Sequence, residues 1–189
     1  MLSIQKGVRV FRGLPFYPVL QNRVKYTFCS IVLSVLGSAF EVVSKRAPEF
    51  NDEISTWEDG RRFAIGILSR GPYITLEKRG DAIRFLGKGL LSPEISMFFK
   101  NLDAAIPVFL GLKGSFQVFA ENGMIVDGNL SHTMEVNRVA NIVNAYLFPG
   151  IMLKNVLKRT PRFNLLQLTV KARVYIELMP AFLWHAARN

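Results

Sequence analysis

The sequence predicts an α+β fold, a mostly antiparallel five-stranded sheet covered on one face by helices. Three observations carry this. Residues 62–86 alternate apolar and polar side chains across short glycine-bearing reversals, the period of half-buried strands. Residues 26–47 and 130–147 repeat at helical spacing instead. The 189 residues suit one domain with a sizeable core and are short for two.

The elements follow in order. Residues 1–20 are irregular, with Pro15 and Pro18, and helix one spans roughly 21–46. Ser30, Ser34, Ser38, Glu41 and Lys45 form a polar stripe along it. Phe28, Ile31, Val32, Val35, Leu36, Phe40 and Val43 form an apolar face that packs on another element. Ala47-Pro48 ends the helix. Residues 48–60 are a polar connection with room for a helical turn. Arg62–Ile67, Tyr73–Glu77 and Ala82–Leu86 are three strands, joined closely enough to be antiparallel neighbours. Glu94–Phe99 is a fourth. Asn101 caps a helix that Pro107 shortens or bends, and Gly111 and Gly114 end it. Ser115–Ala120 is a second short helix or an extended piece, and Gly123–Asp127 a fifth strand. In the helix over 130–147, Met134, Val136, Val139, Val143, Tyr146 and Leu147 line one side. Ile151–Arg159 reads as a short helix, and 163–187 as a helix that Pro180 interrupts. This divides the chain into a basic segment with an amphipathic helix (1–50), an α+β domain (51–160) and a basic helical extension packed on it (161–189).

Half the residues are hydrophobic and a fifth charged, which excludes a disordered chain and suits exposed apolar surface or an internal cavity. The net charge of +10 sits at the two ends. Residues 1–50 hold seven Lys/Arg against Glu41 and Glu49, and residues 151–189 hold seven against Glu177. Basic charge beside apolar segments suits an anionic membrane surface. Nucleic acid is the competing polyanion, but no nucleic-acid motif supports it. The acid-free, basic start is shared with signal and transit peptides. The uncharged run at 26–40 is nevertheless shorter than the ~20 residues that span a bilayer. Cys29 is the one cysteine, so no intrachain disulfide forms; in its apolar run it reads as a buried, inert thiol.

The motif-like stretches lack the residues that catalysis or cofactor binding needs. Gly87-Lys88-Gly89-Leu90-Leu91-Ser92 lacks the third glycine of a dinucleotide loop and leads to Pro93 and a strand, not a helix. Asp127-Gly128-Asn129 lacks the alternating oxygen ligands of a calcium loop. His132 and His185, the two histidines, give no zinc set. Ser131-His132 has no orienting third group and reads as the start of a helix capped by Asn129 or Ser131, with His132 exposed. Asp52-Glu53 and Glu58-Asp59 lie in a polar connection. No catalytic residue, metal or cofactor is expected; the abundant phenylalanines and methionines point to binding of an apolar ligand.

Residues 61–145 resemble the sterol carrier protein domain, the non-specific lipid-transfer protein family. RRFAIGIL…YITLEKRG…AIRFLGK is similar to its early strands. ISMFFKNLDAAIPVFLGLKGSFQVFAENG is similar to its strand, short helix, glycine and second short helix. MIVDGNLSHTMEVNRVANI is similar to its closing strand, turn and helix. The resemblance implies a hydrophobic tunnel between sheet and helices that takes acyl chains, sterols, phospholipids or isoprenoids without catalysis. Some bacterial members are accessory proteins in isoprenoid quinone synthesis. The expected lining is Met97, Phe99, Phe109, Phe116, Phe119, Val139, Val143, Tyr146 and Met152. Lys154, Lys158, Arg159, Arg162, Lys171 and Arg173 are expected to face anionic headgroups. The function expected is a non-catalytic lipid carrier or presenter, cytoplasmic and peripheral to the membrane, with lipid-metabolising enzymes as further partners. The alternatives are a basic nucleic-acid-binding or scaffold module, and a lipid enzyme using His132 or Cys29.

Overall fold

The structure is a computed structural model; it describes residues 17–68, 70–88, 92–148, 167–169 and 171–176, with side chains from 21 onward. The element order is α1 (Tyr17–Ser44), α2 (Pro48–Ile54), β1 (Arg62–Ile67), β2 (Tyr73–Arg79), β3 (Ala82–Lys88), β4 (Ile95–Phe99), α3 (Leu102–Phe109), α4 (Ser115–Ala120), β5 (Met124–Asp127) and α5 (Leu130–Leu147). Residues 167–169 and 171–176 are also helical. Helix α1 starts about a turn earlier than the periodicity indicated, and Ser115–Ala120 is the helix of the two readings offered for it.

The strands form one sheet in the order β3-β2-β1-β4-β5. The β1–β2, β2–β3 and β4–β5 pairs are antiparallel, as the short connections imply. β1 and β4 are parallel, with Phe63 opposite Ile95 and Ile67 opposite Phe99. The chain between β3 and β4 therefore carries β4 to the side of β1 that β2 leaves unpaired. The register places Phe63, Ile65, Leu76, Phe85, Ile95, Met97 and Phe99 on one face, against the helices.

The core is built around Phe40 of α1. Its ring meets Phe50 of α2 and Phe63 of β1 edge-to-face at 6.3 and 5.7 Å, and Trp57 meets Phe63 at 5.9 Å. Such contacts add to the ~1.5–3 kcal/mol gained by burying each large apolar side chain. Tyr146 of α5 is buried beside them and donates its hydroxyl hydrogen to Glu49 Oε1 at 2.6 Å.

Helix α1 corrects one expectation. Its serine stripe does not form an outer face: Ser34 and Ser38 are buried while Ile31 is 48% exposed. The physical reason is size. Ser34 Oγ satisfies itself by donating to Ser30 O at 2.9 Å, and the small side chains let the helix approach the sheet. At Gly37 an added Cβ would stand 2.8 Å from the Phe85 ring. Ser44, also buried, accepts from Ile83 N of β3 at 3.0 Å, tying the helix end to the sheet. Gln21–Ser44 is long and apolar enough to cross a membrane by length and composition, yet 61% of its most apolar 18-residue window is buried within the fold.

On β2, Glu77 accepts from Arg62 Nε and Nη2 at 3.1 Å and from Arg79 Nε at 2.7 Å. Burial opposes its ionisation, but the hydrogen bonds and charges of Arg79 and Arg62 outweigh this and hold the carboxyl below the usual range. A depressed folded-state pKa contributes stability above the unfolded value of about 4.3. That stability is lost as pH falls through the folded value. Denaturant titrations should show wild type losing stability below about pH 4, with a shallower decline in Glu77→Gln.

Candidate apolar ligand site

Between the β4–β5 end of the sheet and helices α4 and α5 lies a cavity of about 110 Å³. Met97, Met124 and Val126 form its floor, and Phe116 and Phe119 of α4 one wall. Leu130, Met134, Thr133 and Asn137 of α5 form the other, and Ser115 closes it. The local sequence explains each placement. Met97 and Val126 are register partners in the antiparallel β4–β5 pair and so share a face. Leu130, Thr133, Met134 and Asn137 recur at helical spacing along α5. The α5 start is set by Asn129, whose Oδ1 accepts from Ser131 N at 2.8 Å and His132 N at 3.4 Å. Asn129 is thus the cap, and His132 is half-buried, not exposed.

Of the residues expected to line a ligand site, Met97, Phe116 and Phe119 line this cavity. Phe99 is buried in the core, where Phe109 packs on it edge-to-face at 5.5 Å, and neither lines the cavity. Val139, Val143 and Tyr146 are fully buried in the main core, further along α5. Met152, Lys154, Lys158, Arg159 and Arg162 lie outside the described residues. Arg173 is exposed. Lys171 is half-buried and donates to Ala145 O at 2.8 Å and Phe148 O at 2.6 Å. Its ammonium thus meets the carbonyls left unpaired at the end of α5, where a cation also suits the helix dipole, and burial pushes its pKa down. Sequence reasoning missed Ser115, Met124, Val126, Leu130, Thr133, Met134 and Asn137; the α5 spacing was the available signal for the last four.

The lining is apolar except for Ser115, Thr133 and Asn137. Taking the ~30 Å³ share of a liquid water as a yardstick, the volume admits three to four methylene-sized groups. Phe116, Phe119, Leu130 and Met134 are themselves between 38% and 68% exposed, so apolar surface continues outward from the mouth. A second concavity of about 540 Å³, between the start of α1 and the α3 entry, is open and lined largely by polar side chains such as Arg23, Lys100 and Asp103. Among the described residues no group of three His, Cys, Asp or Glu side chains could hold a metal ion. No hydrogen bond joins Ser131 to His132 among them.

Cys29 is fully buried on α1, and burial, with Asp103 nearby, pushes its thiol up to about 11. A thiol reagent should therefore label the native protein no faster than it unfolds, and label it promptly in denaturant. Prompt native labelling would mean that α1 does not stay docked on the sheet.

No protein-family model matches this chain, and no curated protein does. Solved structures do. A UbiJ-SCP2 ubiquinone synthesis protein overlays with a TM-score of 0.41 at 13% identity, covering 68% of this chain and 99% of that one. Sterol carrier protein domain 2 of Helicoverpa armigera gives 0.43 at 11% identity, covering 61% and 89%. Sterol carrier protein 2 from Yarrowia lipolytica, in its apo form, gives 0.41 at 18% identity, covering 70% and 94%. These are all sterol-carrier-type domains. The functional reading of this chain rests on its own cavity.

Proposed function

We propose that this is a non-catalytic lipid-binding or lipid-presenting protein. It holds an acyl, sterol or isoprenoid chain in an apolar tunnel at a membrane surface, as a cytoplasmic accessory factor in lipid or isoprenoid quinone synthesis. The observation that carries this is the apolar cavity between β4–β5 and α4–α5, continuous with exposed Phe116, Phe119, Leu130 and Met134. The end of a chain enters the cavity and the remainder lies over the apolar rim. Each buried methylene contributes about 0.8 kcal/mol, so three or four supply roughly 3 kcal/mol before the rim adds its share. The basic ends of the chain meet anionic headgroups, and lipid-metabolising enzymes would take up the presented chain.

The test is native mass spectrometry of the purified protein for co-purified lipid, with uptake of a fluorescent acyl chain and flotation with anionic against neutral vesicles. Bound lipid, uptake and preference for anionic vesicles are the expected results. Absence of both lipid and uptake overturns the reading, and a salt-sensitive shift of RNA in its place would favour the nucleic-acid module.

A further inference from the structure

The concavity of about 540 Å³ between the start of α1 and the entry to α3 gathers positive charge from three segments far apart in the chain. Arg23 comes from the first turns of α1, Arg70 from the β1–β2 turn and Lys100 from the β4–α3 junction. The fold brings them together in two ways. β1 and β4 run parallel and end side by side, with Ile67 opposite Phe99, and Leu68 N donates to Phe99 O at 2.8 Å just beyond. Lys25 Nζ lies 2.5 Å from Asp103 Oδ1 and holds α1 against the start of α3.

The charge is not cancelled locally. Asp103 is the one acidic residue of the lining among the described residues, and Lys25 pairs with it. Lys100 donates to Asn122 Oδ1 at 2.7 Å, a neutral acceptor that leaves its charge in place. Arg23 and Arg70 are exposed and form no ion pair or side-chain hydrogen bond among the described residues. Cations around one hollow repel one another, and an anion seated among them relieves that repulsion. The first turn of α3 adds to this, because its leading N–H groups have no acceptor within the helix and Asn101 Oδ1 occupies that of Ala104. Tyr26, Leu68 and Leu102 supply apolar wall between the charges, which suits an organic ester.

We propose that this concavity binds a phosphate monoester, with Arg23 and Arg70 as guanidinium clamps and Lys100 as a point charge. Guanidinium groups match phosphate oxygens in pairs, and a dianion answers several cations better than a phosphodiester does. The site is separate from the apolar cavity and does not depend on the lipid-binding reading. The same chemistry serves a soluble ester and a phosphomonoester lipid headgroup, and the experiment separates the two.

Binding of the full chain to glycerol phosphate is measured by calorimetric titration. Binding to phosphatidylcholine vesicles carrying phosphatidic acid, against phosphatidylserine at equal surface charge, is measured by cosedimentation. Wild type is compared with Arg23→Gln, Arg70→Gln and Lys100→Gln, and with Arg84→Gln, which removes an exposed cation of β3 outside the concavity. Each of the first three is expected to weaken binding about tenfold, the value of one charge-assisted hydrogen bond, and Arg84→Gln to leave it unchanged. Loss with glycerol phosphate alone assigns a soluble ester, loss with phosphatidic acid alone assigns a headgroup, and loss with both assigns a site open to either. Absence of binding to both probes, binding unaffected by the three substitutions, or an equal loss in Arg84→Gln overturns the inference. So does vesicle binding alone that does not distinguish phosphatidic acid from phosphatidylserine. Acyl-chain uptake by the same proteins reads the apolar cavity, so the lipid-binding reading stands or falls separately.

Discussion

Replacing Val126 with phenylalanine is expected to abolish chain uptake while leaving the fold intact. Val126 stands on β5 opposite Met97 and lines the cavity floor, and the sequence tolerates a ring there because aromatic residues suit a half-buried strand. A ring in place of two methyl groups fills the space that three or four methylenes of the ligand would occupy. Losing about 3 kcal/mol of burial corresponds to roughly a hundredfold weaker binding. Stability should hold or rise by up to about 1 kcal/mol, since a filled cavity removes unpaired apolar surface. The check is a fluorescent acyl-chain titration beside a thermal melt. Unchanged uptake by a folded Val126→Phe protein would move the binding site elsewhere.

The largest expected loss of stability is at Gly128, in the turn between β5 and α5. Its φ of +113° is one that side-chain-bearing residues rarely adopt, and an added Cβ would lie 2.5 Å from Glu94 O and 3.2 Å from Ile95 Cα. Both neighbours are backbone, at the start of β4, so neither can turn aside. Gly128→Ala is therefore expected to cost about 3 kcal/mol or more, which lowers the melting temperature by roughly 6–12 °C for a chain of this size. Gly60 supplies the contrast. Its φ is +86° but nothing lies within 4 Å of an added Cβ, so Gly60→Ala should cost only about 1 kcal/mol of backbone strain. Similar melting temperatures for the two variants would show that close approach to β4 does not constrain the turn. Since β4 and β5 form the cavity floor, Gly128→Ala should also weaken uptake.

Much of this architecture could be read from residues adjacent in the chain. Asn101 and Asn129 cap the helices that follow them, and Pro107 sits in a helix of only eight residues. The period-two alternation of 62–67, 73–77 and 82–86 became three hairpin-linked strands. The strand ends ran slightly further than the alternation suggested, because pairing with a neighbour extends order into the turn residues. Part of the candidate site is visible in the same way: Met97, Phe116 and Phe119 are apolar residues on β4 and α4, and they meet around the cavity.

Other features depended on partners far away in sequence. Val139, Val143 and Tyr146 share a helix with Met134 and Asn137, yet they enter the core while the latter pair line the cavity. Nothing along the helix separates the two groups; the separation comes from where α4 and β5 end. Ser34 faces inward because a small hydroxyl bonded to its own helix can be buried at little cost, while Ser38 is buried with no hydrogen-bond partner among the described residues. Lys171 was one more basic residue in a basic tail until the α5 carbonyls beside it became visible.

The sequence by itself determined the main helices and strands, their order and the Asn101 cap, because periodicity and capping are short-range properties; it left open the state of 115–120 and the choice between Asn129 and Ser131 as a cap. Only the tertiary structure decided the parallel β1–β4 pairing, the inward serines, the division of apolar residues between core and cavity, and the meeting of Arg23, Arg70 and Lys100 at one concavity. Those are set by packing among segments distant in the chain, where the hydrophobic effect rewards burial without naming the neighbour.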